Sequence, residues 1–547
     1  MECFATTAMR DGARLSQVGA LCRFALALLL CTYGIAAPSH SAELAATPGS
    51  TTANIPRLRA LDFRPFDTAL ERFTPHAAME VDALLRHATI PQVQAALAAG
   101  RLTSETLTLY FLDRIRRHDE RLRTYLELNP AALDEARAAD ARRKAGRPLG
   151  PLDGIPISLK DNIETAPPMH TTAGSALLLD HVAKADAPLV ARLRASGAVI
   201  LGKANLSEFA GIVTLGTRTG GSSAVGGQTM NPHGSPLTGG SSAGSAAGTA
   251  ARLAMASIGT ETSGSLIAPS AWNGVVGMKP GRGMVDGTGI VPLLSANDTA
   301  GPVARSVTDA AILLDAIALN PPRFAGGLRK EALSGASVGV LERDILAGRG
   351  NAALLDRARN GLAAAGAVPR PTLLPQSPAW ADGAPFVQLL ASGMRLDMMG
   401  YVSRRAPGTA TLDDLLAWYR AMPDRRAPFG FDLLAALSKA PLLDRRTHDA
   451  LVLRLRESSA AILDATFDKT GARMLVSIDN MHSTLYANAG HPAITVPLGL
   501  REGSSTPAGI TFIGRRGEDG ALLAMAYAFE QATRLRIEPR LDYTVQP

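Results

Sequence analysis

Two stretches with almost no side-chain bulk lie close together in this chain. They are Gly239-Gly240-Ser241-Ser242-Ala243-Gly244-Ser245 and Gly259-Thr260-Glu261-Thr262-Ser263-Gly264-Ser265. An apolar, alanine-rich segment joins them and predicts a small-residue helix over Ala246–Met255. Glycine permits backbone conformations and close approaches that other residues obstruct, so such loops let N–H groups converge on one point. Serine hydroxyls are poor nucleophiles until a neighbouring base takes their proton. A lone lysine, Lys160, stands upstream in Ile155-Pro156-Ile157-Ser158-Leu159-Lys160-Asp161-Asn162. The fold therefore has to accommodate two tight loops and bring hydroxyls and an amine together, with no histidine in the set.

The rest of the chain alternates helical and strand-like patterns. Residues 89–146 read as helical. Pro91 suits a first turn, Gly100 a stop, Thr103-Ser104-Glu105 a cap, and Leu107, Phe111, Leu112 and Ile115 share one face. Pro130–Lys144 is a further alanine-rich helix. Strands are expected at Ile155–Lys160, Ala198–Leu201, Val275–Gly277, Val338–Leu341, Ala493–Pro497 and Gly509–Gly514, with a closing helix near Ala521–Thr533. Residues 345–470 read as a variable helical region. Its Trp380, Met394, Met398, Met399, Tyr401, Trp418 and Tyr419 suit either an apolar acyl pocket or plain core. Alternation of this kind predicts an α/β fold, a three-layer α/β/α sandwich around a large mixed sheet, as a single domain over 43–547.

Composition narrows the partners. Of 547 residues, 46% are hydrophobic and 19% charged, enough to build a core. The net charge of +7 comes from scattered basic residues with few aromatics among them. That pattern suits a solvated surface rather than a nucleic-acid groove. Arg10, Arg14 and Arg23 precede the apolar run Phe24–Ile35 and the small residues Ala36–Ala42, which reads as an export signal over 1–42. The run is too short to span a bilayer, so no stable membrane insertion is expected once it is cleaved, although an uncleaved signal would serve as an anchor. Leu30 before Cys31 does not fit a lipoprotein signal. All three cysteines, Cys3, Cys22 and Cys31, lie in this segment. A cleaved, exported chain would have no disulfide, thiol nucleophile or cysteine-bound zinc.

The run from Gly239 to Lys279 resembles the signature of the amidase signature family of serine hydrolases. The likeness continues through Gly150–Asn162, Gly202–Phe209, Ala489-Gly490-His491-Pro492 with Val496-Pro497, and Phe529-Glu530-Gln531. It covers roughly residues 89–315 and 485–535 and implies an amide C–N hydrolase that uses no cofactor and no metal. Carried over by position, the catalytic lysine falls on Lys160 and the nucleophile on Ser265. The bridging serine, which follows a cis peptide bond in the family, falls on Ser241. The oxyanion donors fall on the N–H groups of Thr262, Ser263, Gly264 and Ser265. Thr238 and Ala243 stand at common proline and glycine positions, Ser263 where many relatives have glycine, and Ile267 where many have arginine. The loss of that arginine argues against a small carboxylate held beside the nucleophile. Ser222-Ser223, Gly226-Gly227-Gln228, Asn231-Pro232 and Asp298-Thr299-Ala300-Gly301-Pro302 resemble the exported, peptide-amidase-like branch. The substrate class implied is a small-molecule or peptide amide.

Rival readings place the chemistry elsewhere. Gly240-Ser241-Ser242-Ala243-Gly244 satisfies the nucleophile-elbow pattern, which would make Ser242 the nucleophile of an α/β-hydrolase-type esterase. That motif needs a strand immediately before it, and Asn231–Pro236 does not read as one. Gly197–Ala204 nearly spells a P-loop, but its centre is a strand-like run and Ala204 lacks the hydroxyl that Mg²⁺ requires. Further alternatives are a catalytically silent periplasmic binding protein on the same fold, a flexible Gly/Ser linker, and one component of an amidotransferase that generates ammonia for its partners. His170, His233, His482 and His491 read as loop or core histidines.

Overall fold

The computed structural model describes residues 55–214, 220–348, 350–376 and 383–541. The segment read as an export signal lies outside them, as does Trp380. Eleven strands form one mixed sheet: β1 (Tyr125–Leu128), β2 (Pro156–Lys160), β3 (Val199–Ala204), β6 (Ala256–Glu261), β7 (Val276–Lys279), β8 (Thr299–Ala304), β9 (Ser337–Val340), β10 (Val368–Pro371), β11 (Met474–Ile478), β12 (Ala493–Leu500) and β13 (Pro507–Ile513). Two short strands, β4 (Ser222–Ser223) and β5 (Gly227–Gln228), pair separately. The order across the sheet is β1-β3-β2-β6-β8-β7-β12-β13-β11-β9-β10. β2 runs parallel to β3 and β6, and β9 parallel to β10 and β11; the other pairs are antiparallel.

Alternate residues of the strands enter separate cores, as a period of two demands. Leu475, Ala493 and Ile513 pack with Ile267, Leu463 and Phe467. Their neighbours Val476, Ile494 and Phe512 join the large core, which includes helices Val307–Ile317 and Asp519–Thr533. Both sheet faces are therefore covered, and the expected α/β architecture is the one observed. The second stretch of helices, between Ala384 and Leu455, builds a core of its own on Ala173, Phe209, Ile212 and Val291–Leu294. Met394, Met398, Met399 and Tyr419 lie inside it, so these residues are core rather than the wall of an apolar acyl pocket.

Caps set several boundaries where the sequence puts them. Thr103 Oγ1 accepts from Thr106 N at 3.0 Å and opens helix Ser104–Leu122. Thr89 and Gln92 form a capping box on helix Ile90–Ala98. Four expectations need correction. The region 345–470 is not helical throughout, since β10 lies within it and pairs parallel with β9. The 89–146 segment is interrupted by β1, which pairs antiparallel with β3. The small-residue helix runs over Ala243–Ala250, earlier than Ala246–Met255. Residues 259–261 belong to β6, so the second loop starts at Thr262. A Cβ on Gly259 would lie 2.7 Å from Leu266 Cδ2 and 2.8 Å from Ser242 Oγ, so this glycine marks close packing of a strand rather than a turn.

Candidate active site

Lys160 ends β2, and Glu261 ends the parallel neighbour β6, so both emerge at the same carboxyl edge of the sheet. Open α/β sheets bind ligands at that edge. Lys160 is fully buried. Its Nζ lies 2.7 Å from Ser241 Oγ, 2.8 Å from Thr260 Oγ1 and 3.2 Å from the Thr260 carbonyl oxygen. Asn162 Nδ2 donates to the same Thr260 hydroxyl at 3.0 Å. Burial disfavours the ammonium and lowers the Lys160 pKa to about 7, with the charges of Asp298 and Glu261 acting in the opposite direction. A neutral amine has two N–H donors and one lone pair. Two acceptors on Thr260 and a donating Ser241 hydroxyl match that set.

The Gly240–Ser241 peptide bond is cis. The Ser241 carbonyl accepts from Ser207 N at 3.0 Å, and Ser207 Oγ accepts from Gly221 N at 2.8 Å. A Cβ on Gly240 would sit 2.4 Å from Ser207 Oγ. On Gly239, at φ +75°, it would sit 2.8 Å from Pro269 Cα. Only glycine lets the chain pass here and bring Ser241 against Lys160.

Ser242 is held differently. It is fully buried, and its Oγ donates to the Thr260 carbonyl at 3.0 Å while accepting from Thr260 N at 3.2 Å. Its own N–H donates to the Ser265 carbonyl at 3.1 Å, which docks the second loop against the first. No strand precedes Ser242, so the elbow geometry is absent.

Ser265 lies just before helix Ile267–Trp272, and its loop is pinned from three sides. Thr262 Oγ1 donates to Asp298 Oδ1 at 2.5 Å, and Asp298 Oδ2 accepts from Leu293 N at 2.8 Å and Leu294 N at 3.0 Å. Glu261 Oε2 accepts from Leu266 N at 2.8 Å and Ile267 N at 3.1 Å, and the Gly264 N–H also faces this carboxyl. The third support is the turn before helix Ser483–Ala489. Ser263 Oγ is 3.1 Å from Thr484 Oγ1, and a Cβ on Gly264 would be 3.0 Å from Ser483 Oγ. Among the described residues the N–H groups of Ser263 and Ser265 donate to nothing, which leaves them open to an incoming oxygen. Ile267, at the position where many relatives carry arginine, is buried among Leu463, Phe467 and Leu475.

The chain does contain a serine–histidine–aspartate series, away from these loops. Ser477 Oγ is 2.7 Å from His482 Nδ1, and His482 Nε2 is 3.1 Å from Asp344 Oδ2. Ser477 lies in β11 with no exposed surface, so no substrate reaches it and the series is a structural tie. The P-loop-like run is structural as well. Lys203 lies in β3, donating to the carbonyl oxygens of Ile163 and His170 at 2.8 Å each, with Asp161 at 3.2 Å.

A match to the Amidase family extends over residues 106–466, well over half of the chain. The chain belongs to the amidase family. A probable amidase of Arabidopsis thaliana is 33% identical over 481 residues, covering 83% of this chain and 92% of the relative. A glutamyl-tRNA(Gln) amidotransferase subunit from Moorella thermoacetica is 34% identical over 491 residues, covering 82% and 97%. The crystal structure of native peptide amidase from Stenotrophomonas maltophilia superposes with a TM-score of 0.76 at 39% identity, covering 83% of this chain and 99% of that one. An amidase family protein from Bacillus anthracis superposes with a TM-score of 0.80 at 31% identity, covering 88% and 97%. This amidase is accordingly a hydrolase of amide C–N bonds.

The sequence motifs assign no role to several residues around the loops. Thr260 and Glu261 stand inside the second glycine-rich run but read there as loop residues. Asp298 was visible only as part of a family-like pentapeptide. Asn480, Ser483 and Thr484 carry no local pattern at all. Each matters through a contact 18 or more positions distant in sequence, apart from Glu261, which reaches five residues ahead.

Proposed function

We propose that this amidase cleaves its substrate through an acyl-enzyme on Ser265. Ser265 Oγ attacks the amide carbonyl carbon as its proton passes to Ser241 Oγ, whose own proton passes to Lys160 Nζ. The N–H groups of Thr262, Ser263 and Ser265 receive the charge developing on the carbonyl oxygen; the Gly264 N–H, expected from the sequence to join them, is turned to the Glu261 carboxyl instead. Collapse of the adduct breaks the C–N bond, and the proton on Lys160 returns through Ser241 to the leaving amine. Water then attacks the ester, its proton taking the same route, and releases the acid and free Ser265.

The observation that carries this reading is the buried Lys160 amine, 2.7 Å from Ser241 Oγ and depressed to about 7. A base with that pKa is about half neutral at pH 7, whereas a solvated lysine is about one part in two thousand neutral. The substrate class we assign is a peptide or small-molecule amide. It draws on the likeness to peptide amidase, one structure of which holds the competitive inhibitor chymostatin at 38% identity and a TM-score of 0.77. Export to the periplasm or beyond remains part of the proposal, on the strength of the N-terminal residues alone.

Turnover of a peptide-amide panel by purified single variants tests the assignment. Ser265→Ala abolishes hydrolysis, and Lys160→Ala costs about a hundred- to ten-thousandfold in kcat/KM. Ser242→Ala leaves the acyl-transfer chemistry in place. Loss of activity in Ser242→Ala with Ser265→Ala still active would transfer the nucleophile to Ser242. Full activity in Lys160→Ala would remove the relay.

A further inference from the structure

A cavity of about 480 Å³ carries four charged side chains in its lining and is joined to the loop that holds Ser265 through Asp298. It is lined by Glu164, the Gly287–Ile290 turn, Asp298, Tyr401, Arg404 and Arg405. Two links join it to the site. Asp298 holds the Thr262 hydroxyl, and Val291 N, at the end of the cavity turn, donates to the Asn162 carbonyl at 2.8 Å. Asn162 in turn bonds the Thr260 hydroxyl that meets Lys160. The volume is that of a pocket for a small ligand.

Three of the four charges in the cavity are consumed internally. Glu164 Oε1 accepts from Tyr401 OH at 2.7 Å and pairs with Arg405 Nη2 at 2.8 Å, with His181 Nε2 at 3.8 Å. Arg405 also stacks its guanidinium 3.5 Å from the centre of the Tyr401 ring. These partners hold the Glu164 pKa down to about 2, so the carboxylate stays charged and paired. Both oxygens of Asp298 accept from Thr262, Leu293 and Leu294. Arg404 is the exception. Among the described residues its guanidinium has no acceptor, and it stands exposed on the cavity rim. Arginine presents a fork of N–H donors that fits a carboxylate in a bidentate manner.

We propose that Arg404 is a specificity residue of this amidase, selecting amides whose acyl portion carries a carboxylate remote from the scissile bond. The carboxylate docks on the Arg404 guanidinium while the carbonyl lies at Ser265. This rests on the Ser265 reading above and adds the substrate class. It also fits the burial of Ile267, which leaves no cation for an anion immediately beside the nucleophile.

The test is protection of Ser265 from a fluorophosphonate probe by peptide amides capped with succinyl or with uncharged butanoyl, on spacers of one to three alanines. At one spacer length the succinyl compound protects at roughly three- to tenfold lower concentration, a span suited to a partly solvated charge-assisted pair. Raising the ionic strength narrows that advantage. Arg404→Gln removes it while leaving protection by the butanoyl compounds unchanged, and Arg404→Lys restores part of it. Equal protection by both caps at every length, no protection by either, or an advantage that survives in Arg404→Gln overturns the inference while the Ser265 assignment stands. Failure of the probe to label Ser265 overturns both.

Discussion

At the scale of single residues, the chemistry turns on which groups hold protons. Burial lowers Lys160 to about 7, and the proposed relay works only with this amine neutral, so kcat/KM is expected to rise with pH through about 7 and then level. A solvated lysine would place that rise near 10.4. Asp298 opposes the effect of burial on Lys160. Asp298→Asn keeps an oxygen for Thr262 and removes the charge, so the midpoint of the rise moves to lower pH. A midpoint that stays put, or moves up, would show that Asp298 acts only as an anchor. A buried amine chosen for stability should weaken the fold when removed. Lys160→Met should instead lose turnover by about a hundred- to ten-thousandfold while its Tm holds or rises, because a desolvated amine, charged for part of the time, is replaced by an apolar chain of similar length. The sequence offers Lys160, Ser241 and Ser265 through their positions in the family-like pattern, and the structure brings the first two within 2.7 Å of each other. Thr260 and Asp298 were not legible there, because their roles arise only when β6 lies beside β2 and β8, and Glu261 was not, because its contact depends on the fold of the loop that follows it.

At the scale of elements, most strands with a strong apolar run were legible, Met474–Ile478 behind a 26-residue helix being an exception, and those built from small residues were not. Pro156–Lys160 and Pro507–Ile513 announce themselves by β-branched and apolar residues. Ala256–Glu261 and Thr299–Ala304 contain glycine, threonine and alanine, and become strands through pairing at the centre of the sheet. Tyr125–Leu128 is short and lies between two helices, so helical periodicity masks it. The loop after β6 depends on one glycine in particular. Gly264 has φ +80°, and a Cβ there would meet Ser483 Oγ at 3.0 Å and Asn480 Nδ2 at 3.1 Å. Gly264→Ala should therefore slow turnover by about a hundredfold or more, the scale of losing one oxyanion donor, with KM little changed. A variant with normal kcat would mean that the loop's shape is not set at this residue.

At the scale of the whole molecule, the helices between Ala384 and Leu455 are tied to the residues behind the site by a buried polar pair as well as by apolar packing. Tyr419 OH donates to Glu208 Oε1 at 2.6 Å, and burial raises the Glu208 pKa to about 7. The Phe variant of Tyr419 leaves that carboxyl short of a donor, at a cost of about 1–3 kcal/mol, read as a lower midpoint in denaturant unfolding. An unchanged midpoint would mean that apolar packing alone seats this region. The α/β class followed from alternating patterns along the chain, but the separate core of this region did not, since no local pattern says which helices share a core. The central claim remains the division of labour between the two serine-bearing loops. Its most direct measurement is peptide mapping by mass spectrometry after reaction with a fluorophosphonate. The expected result is a single phosphonyl adduct on Ser265, formed more slowly in the Ala variants of Lys160 and Ser241. An adduct on Ser242, or labelling of Ser265 at an undiminished rate without Lys160, would contradict it.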